Sequence, residues 1–454
     1  MCLMKAPHVA NEALQASSAW NPHTKVTTED PMTHTRPAMA LALTVGATLA
    51  LTSCASGGAP ADEGGVTTIN YWSWDGAPGE AVVTPIIEAF EAENPDIAVE
   101  YTEIPQGDYK AKVAQSLGAG EDIDVLGVQP SAWASEVEDY LLPVSDWENG
   151  DELTSKFQES TIDQTERLFT DGTLLSVPLY STGSAIGIYN ADILAELGVE
   201  PPQTWDEFKA LSDALAAQGG DILPVTMPGD DWFQDEVALT IVGQSDPEFF
   251  NSVRYDDGEW NTDSYVEGLE QYKALYDDGT FDAATLDMDY GTAMTVFEEG
   301  KSAVAFNGSW EVGRILTGNY GVVPVPAESA EDVSLRAFLD VLVGIPAESQ
   351  KQEAAAKFVE FLSTGAGVDE WASALKGVPA VDGYTLPEGV LTTDLQKQSY
   401  QTLLDLINNP RGDRNNMGAF SDSVGANVKQ VLLGSMTAKE AADADQAELE
   451  KGNF

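Results

Sequence analysis

Between Thr67 and Ser131 the chain switches repeatedly between two hydrophobic periods, and nothing else in it narrows the fold as much. Thr67–Trp74 (TTINYWSW) is β-branched and aromatic and reads as a strand, after which Val83, Ile86, Ile87 and Phe90 recur at helical spacing until Asn94-Pro95 stops them. Ile97–Ile104 is the next strand, 108–117 a helix, and 123–128 an apolar strand without alternation. Ser131 opens another helix. The order βαβαβα is the signature of a parallel α/β sheet covered by its own crossover helices.

A second set of units follows. A strand is expected over 185–189, and a helix begins at the capping box Thr204 and Glu207, just after Pro201-Pro202, with Phe208, Leu211 and Leu215 as its apolar face. Further helices are predicted over 263–276, 285–297, 352–362, 395–407 and 424–433, with strands over 302–306 and 338–345. Thr437 and Glu440 form a last capping box. No repeat of solenoid length occurs.

The N-terminal region has a different logic. Residues 38–51 (AMALALTVGATLAL) form a short apolar run that follows Arg36 and ends in Leu51-Thr52-Ser53-Cys54, the pattern of a lipoprotein signal with its lipidated cysteine. The run is shorter than the roughly 20 apolar residues that cross a bilayer. The stretch before Met32 lacks a compact basic region and reads as upstream sequence, with Met32 or Met39 as the start. The expected plan is therefore an upstream segment and signal over 1–53, then Cys54 and a flexible tether to residue 65 (ASGGAPADEGG follows Cys54). Such a protein would sit on the outer face of the cytoplasmic membrane, touching the membrane through the lipid alone.

Composition then excludes several activities. The formal charge is −53 from 22 Lys+Arg and 75 Asp+Glu, and removing the first 53 residues takes three of each sign and leaves that value unchanged. A surface this acidic does not suit a nucleic-acid partner. All three histidines, His8, His23 and His34, and the other cysteine, Cys2, precede Cys54. The exported part thus has no Ser-His or Cys-His chemistry, no usual zinc site and no internal disulfide, and neither cofactor nor metal is expected. Carboxylate-pair chemistry, as in a glycoside hydrolase, survives this filter, but no spacing singles out a pair. Gly300-Lys301-Ser302 ends like a phosphate loop, yet Thr295 stands where that loop needs glycine.

Several strings, in order, resemble one family. They are Tyr71-Trp72-Ser73-Trp74, residues 178–190 (PLYSTGSAIGIYN), residues 201–208 (PPQTWDEF), residues 297–311 (FEEGKSAVAFNGSWE), and the closing GSMTAKEAADADQAELEK. Together they resemble the extracellular solute-binding proteins of bacterial ABC importers, in the carbohydrate group that includes maltose-binding protein. The resemblance implies a non-catalytic monomer with two α/β lobes, a ligand cleft between them and hinge crossovers. It implies lobe one over 66–180 and 322–363 and lobe two over 181–321 and 364–454, with crossovers near 180–184, 321 and 364–367. It also implies a small-molecule ligand, best read as a mono- or oligosaccharide, and permease subunits in the membrane as partners. A polyamine or another polar solute in the same fold is the alternative.

Sugars offer apolar C–H faces and rings of hydroxyls, so their sites pair aromatic platforms with carboxylates and amides. Trp72, Trp74 and Asp75 lie at the end of the first strand, where open α/β sheets place ligands, and Trp72 and Trp74 share a face. Gln106 and Asp108 follow the second strand and Gln129 and Trp133 the third, while Tyr180 stands at the start of the first crossover that the resemblance implies. The residues alone leave Asp108 equally readable as a helix cap. In the second lobe Trp310 of NGSW falls where the resemblance places a sugar-stacking aromatic. Glu311 is beside it, and Asp231 and Trp232 lie in a loop PGDDWFQDE. Glu311 reads either as a hydroxyl holder or as an acid favouring a helix N-terminus. Ser421 stands where relatives often carry another stacking aromatic, and Phe420 reads as core.

Overall fold

The computed structural model describes residues 65–74, 79–131, 133–412 and 417–452. Cys54, its signal and Asp75 lie outside the described residues. Among the described residues ten strands form two sheets: β1 (Thr67–Trp74), β2 (Ile97–Ile104), β3 (Val125–Val128), β4 (Val177–Ser184), β5 (Ile186–Asn190), β6 (Leu223–Thr226), β7 (Ser302–Asn307), β8 (Tyr320–Pro324), β9 (Arg336–Gly344) and β10 (Val378–Pro379). The first sheet has the order β10-β4-β9-β3-β1-β2 and the second β6-β7-β5-β8.

The expected parallel unit is present, since β1 runs parallel to both β2 and β3, in register from Thr67 opposite Ile97 to Trp74 opposite Ile104. The sheet as a whole is mixed, because β9 is antiparallel to β3 and to β4. The cause is connectivity: β9 enters from the other sheet and meets β3 from the opposite direction. Each sheet carries its own core. One is built on Ile69, Tyr71, Phe90, Val125, Leu342 and Phe358. The other is built on Phe208, Val237, Trp260, Tyr272, Phe306 and Phe420.

The crossings between sheets fix where the chain passes from one sheet to the other. Ala185 alone separates β4 from β5, so the first crossing is a single extended strand that changes sheets. The second and third crossings lie later than the sequence suggests. β8 pairs with β5 along Tyr320–Pro324, so the chain returns to the first sheet only at Arg336 and not at 322. Likewise Val368 and Trp371 pack in the first core and β10 pairs with β4, which moves the third crossing from 364–367 to after Pro379. The expected limits rested on string resemblance, whereas strand pairing, which a sequence does not display, sets the real ones. A small apolar cluster covers the crossings: Ile186, Val322, Leu335, Ala337 and Val378 meet Tyr400, Leu403 and Ile407.

Local signals hold well at helix ends. Thr204–Glu207 and Thr437–Glu440 both close reciprocal capping boxes, and Thr393–Gln396 forms a third that the sequence reading passes over. One element differs in kind. The string DWFQDE opens a helix, Asp231–Ser245, rather than a loop, and its residues 233–243 are all buried. Gln234, Asp235, Glu236 and Thr240 are buried along with its apolar residues, so no side is left to solvent and the helix shows no hydrophobic period.

Candidate ligand-binding site

Parallel neighbours release their chains at the same sheet edge, and this brings the aromatic residues of each lobe together. In the second sheet β6 and β7 are parallel neighbours. Trp232 follows β6, at the head of its helix, and Trp310 follows β7. Tyr290 starts the helix Tyr290–Glu298 that leads into β7. The three rings meet: the Trp232 ring centroid lies 6.3 Å from Tyr290 at 29° and 6.4 Å from Trp310 at 38°. All three are half-buried.

A polar chain runs behind these rings. Trp310 Nε1 donates to the Tyr290 phenol oxygen at 2.9 Å, and that phenol donates to Glu311 Oε1. Arg314 Nε donates to Glu311 Oε2 at 2.6 Å, and Arg314 also pairs with Glu298. Burial, then the Glu311 carboxylate, holds the Tyr290 phenol well above its ordinary pKa, so it remains a proton donor. Gly308 is required here because a Cβ at that position would lie 2.2 Å from three atoms of the Trp310 indole. Asp231, which precedes Trp232, pairs with Lys429 at 3.2 Å.

The first sheet repeats the arrangement with a different outcome. Trp74 ends β1, Tyr109 sits in the helix after β2 (Gln106–Ala119), and Trp133 begins the helix after β3. Their rings pack at 5.3 Å and 5.7 Å through Tyr109. This trio is core: Trp74, Tyr109 and Trp133 are all nearly inaccessible, and the Tyr109 hydroxyl donates to the carbonyls of Gly127 and Trp72. The expectation of Trp72 and Trp74 as twin platforms is corrected on this point, since Tyr109 covers Trp74. Trp72 remains half-buried, with Lys112 Nζ 5.5 Å from its ring centroid. Gln106 and Asp108 are exposed in the first turn of their helix, and Gln129 is half-buried. Tyr180 is enclosed against Trp371, 4.9 Å between centroids, inside the first core.

Two of the three elements that carry the second trio are tied to the first crossing. Ser309 Oγ, between Gly308 and Trp310, accepts the Gly183 N–H at 3.0 Å. Thr240 Oγ1, on the Trp232 helix, lies 3.2 Å from the Ala185 N–H that it accepts and 3.1 Å from the Ser184 carbonyl. Sequence reasoning missed Tyr290, Arg314, Tyr109 and Lys112. The only sequence signal at Tyr290 is its place after Asp289, which caps the helix through the Thr292 N–H. Phe420 packs 4.9 Å from Trp260 and is core, as expected. Among the described residues no group of three His, Cys, Asp or Glu side chains is placed to hold a metal ion, and no helix is long and apolar enough to cross a membrane.

Two α/β units, crossing strands and an aromatic cluster beside the crossing define a two-lobed binding-protein fold. The chain belongs to the bacterial extracellular solute-binding proteins, whose family model matches residues 73–368. It is similar to a binding protein of Brucella abortus (strain 2308), 25% identical over 61% of this chain and 66% of the relative. It is also similar to the maltotriose-binding protein of Pyrococcus abyssi, 25% identical over 62% of this chain and 59% of the relative. The matched stretch thus spans less than two thirds of these relatives. In structure it resembles the GacH receptor of Streptomyces glaucescens, solved unliganded and with acarbose, with a TM-score of 0.70, 20% identity, and coverage of 85% of this chain and 98% of that one. These are binding proteins, and the hydrolase alternative has no support among them.

Proposed function

We propose that this chain is the exported, lipid-anchored receptor of an ABC importer, binding a mono- or oligosaccharide between its lobes and passing it to a membrane permease by hinge closure. The carrying observation is the half-buried trio of Trp232, Tyr290 and Trp310, which presents aromatic faces to the apolar side of a sugar ring beside the strand on which the lobes pivot. The names of relatives that bind maltotriose and acarbose support a sugar. Glu311 is already engaged by Tyr290 and Arg314, which counts against a polyamine that would need free carboxylates. On this reading lobe one is 66–184 with 336–380, and lobe two is 186–324 with 394–452. Trp72, Trp310, Trp232 and the exposed Gln106 and Asp108 line the cleft. Cys54 bears the lipid, and the receptor acts as a monomer.

The test is calorimetric titration of residues 55–454 with maltotriose, other mono- and oligosaccharides and spermidine, with analysis of the recovered ligand. We expect a sugar to bind and return intact, and Trp310→Ala to weaken it about tenfold, roughly 1.4 kcal/mol, with little change in thermal stability. Binding of spermidine alone, or cleavage of the sugar, would overturn the reading. Incorporation of labelled palmitate that disappears in Cys54→Ser would establish the anchor.

A further inference from the structure

Glu311 stands next to the best stacking residue, and an acid there invites the role of a ligand for sugar hydroxyls. Its surroundings assign it another. One carboxylate oxygen accepts the Tyr290 hydroxyl and the other accepts Arg314 Nε at 2.6 Å, and Arg314 is pinned from its far side by Glu298. The side chain of Glu311 is only 14% exposed. With its proton committed to Glu311, the Tyr290 oxygen presents a lone pair to the Trp310 indole N–H, 2.9 Å away. The indole is fixed on its other side by Gly308, over which the ring lies too closely for any Cβ.

We infer that Tyr290, Glu311 and Arg314 form a positioning relay that sets the plane of Trp310, and that Glu311 acts through Tyr290 rather than on the ligand. The relay explains the order of the residues. Ser309–Leu316 is a 3₁₀ helix, and spacing i, i+3 along it places Arg314 against Glu311 while Trp310 turns toward Tyr290. An aromatic platform binds a sugar only in the orientation that matches the ring's C–H face. Holding the indole before the ligand arrives therefore removes an ordering cost from binding. The group facing the indole is thus a neutral phenol, and the Glu311 carboxylate behind it is held by Arg314 rather than turned to the ligand. This consequence for affinity rests on the sugar-binding reading, whereas the relay itself does not.

The experiment has one arm without ligand and one with it. In the ligand-free protein labelled with ¹⁵N-tryptophan, the indole N–H resonance of Trp310 is assigned by its loss in Trp310→Phe. Tyr290→Phe should shift that resonance upfield and speed its exchange with water. Glu311→Gln, which keeps an acceptor for the phenol, should leave it close to wild type. An unchanged resonance in Tyr290→Phe would overturn the relay. Should Tyr290→Phe fail to fold, Glu311→Ala reports on the same resonance with the same expectation. In the second arm maltotriose is titrated: Tyr290→Phe and Glu311→Ala should each weaken binding about 5- to 20-fold, with Glu311→Gln within about threefold of wild type. In a Trp310→Ala background neither should weaken binding further. A full additional loss from Glu311→Ala in that background would make Glu311 a direct ligand contact and overturn the inference. Failure of wild type to bind maltotriose or any other sugar would bear on the proposed function alone, because the ligand-free arm decides the relay by itself.

Discussion

At the scale of the residue, one string carries most of the proposed site. Phe306 to Trp310 reads as strand, turn and platform, and each position has its own physical reason. Asn307 ends the strand and accepts the Gly308 N–H at 2.7 Å, Gly308 admits the indole, Ser309 reaches the crossing strand, and Trp310 presents its ring. Gly308→Ala is therefore expected to displace Trp310 while leaving β7 paired. A Cβ at 2.2 Å from three ring atoms cannot coexist with the present indole position. Overpacking of this kind costs about 1–3 kcal/mol. We expect thermal unfolding to fall by several degrees and sugar affinity to fall at least tenfold; wild-type affinity in this variant would separate Gly308 from the platform. Trp310 and Glu311 were legible at this scale because of their string. The assignment of Glu311 was not, because its partner Tyr290 stands 21 positions away and reaches it only through folding.

At the scale of the element, three helices of the second lobe meet on one buried acid. Asp445, on Ala438–Leu449, accepts from the Tyr265 hydroxyl of Asp263–Asp277 at 2.9 Å and from Asn427 Nδ2 of Ala419–Leu432 at 2.7 Å. Burial pushes its carboxyl up to about 7 from an ordinary 3.8, against the lowering effect of these two donors. Between those two values the native carboxyl keeps a proton that the unfolded chain has released. Its contribution to stability is thus fully present below about pH 4, declines as pH rises through about 7, and stays low above. Asp445→Asn keeps both contacts, its carbonyl accepting from Asn427 and its amide donating to Tyr265. We expect the variant to gain on wild type by a few kcal/mol at pH 8 and to show little gain at pH 4, as measured by urea unfolding across pH. A difference between the proteins that does not vary with pH would rule out titration of Asp445. Helix boundaries set by capping boxes were readable because Thr and Glu three residues apart satisfy local backbone groups. The enclosed helix Asp231–Ser245 was not readable, since it buries Gln234, Asp235, Glu236 and Thr240 beside its apolar residues and so carries no hydrophobic period.

At the scale of the whole molecule, the lobes touch away from the crossings. Arg167 follows the helix Glu159–Glu166 of the first lobe, and its guanidinium lies 5.8 Å from the ring centroid of Tyr255, which ends the helix Phe249–Tyr255 of the second. Both are exposed, so the contact is worth about 0.5–1 kcal/mol. A contact of this size biases a hinge without locking it. Arg167→Ala is expected to raise the radius of gyration of the ligand-free protein in solution scattering and to weaken ligand binding about threefold. No change in either would show that the contact does not bias closure. The sequence by itself determined the α/β class, the run of parallel units, the helix caps and the residues that follow the strand ends. These depend on periodicity and on groups a few residues apart. Tertiary structure alone decided which strand ends are open, burying Trp74 under Tyr109 while leaving Trp310 half-exposed. It also decided where the chain changes sheets and which acids are free, because pairing between distant strands and the enclosure it creates have no local signature in the chain.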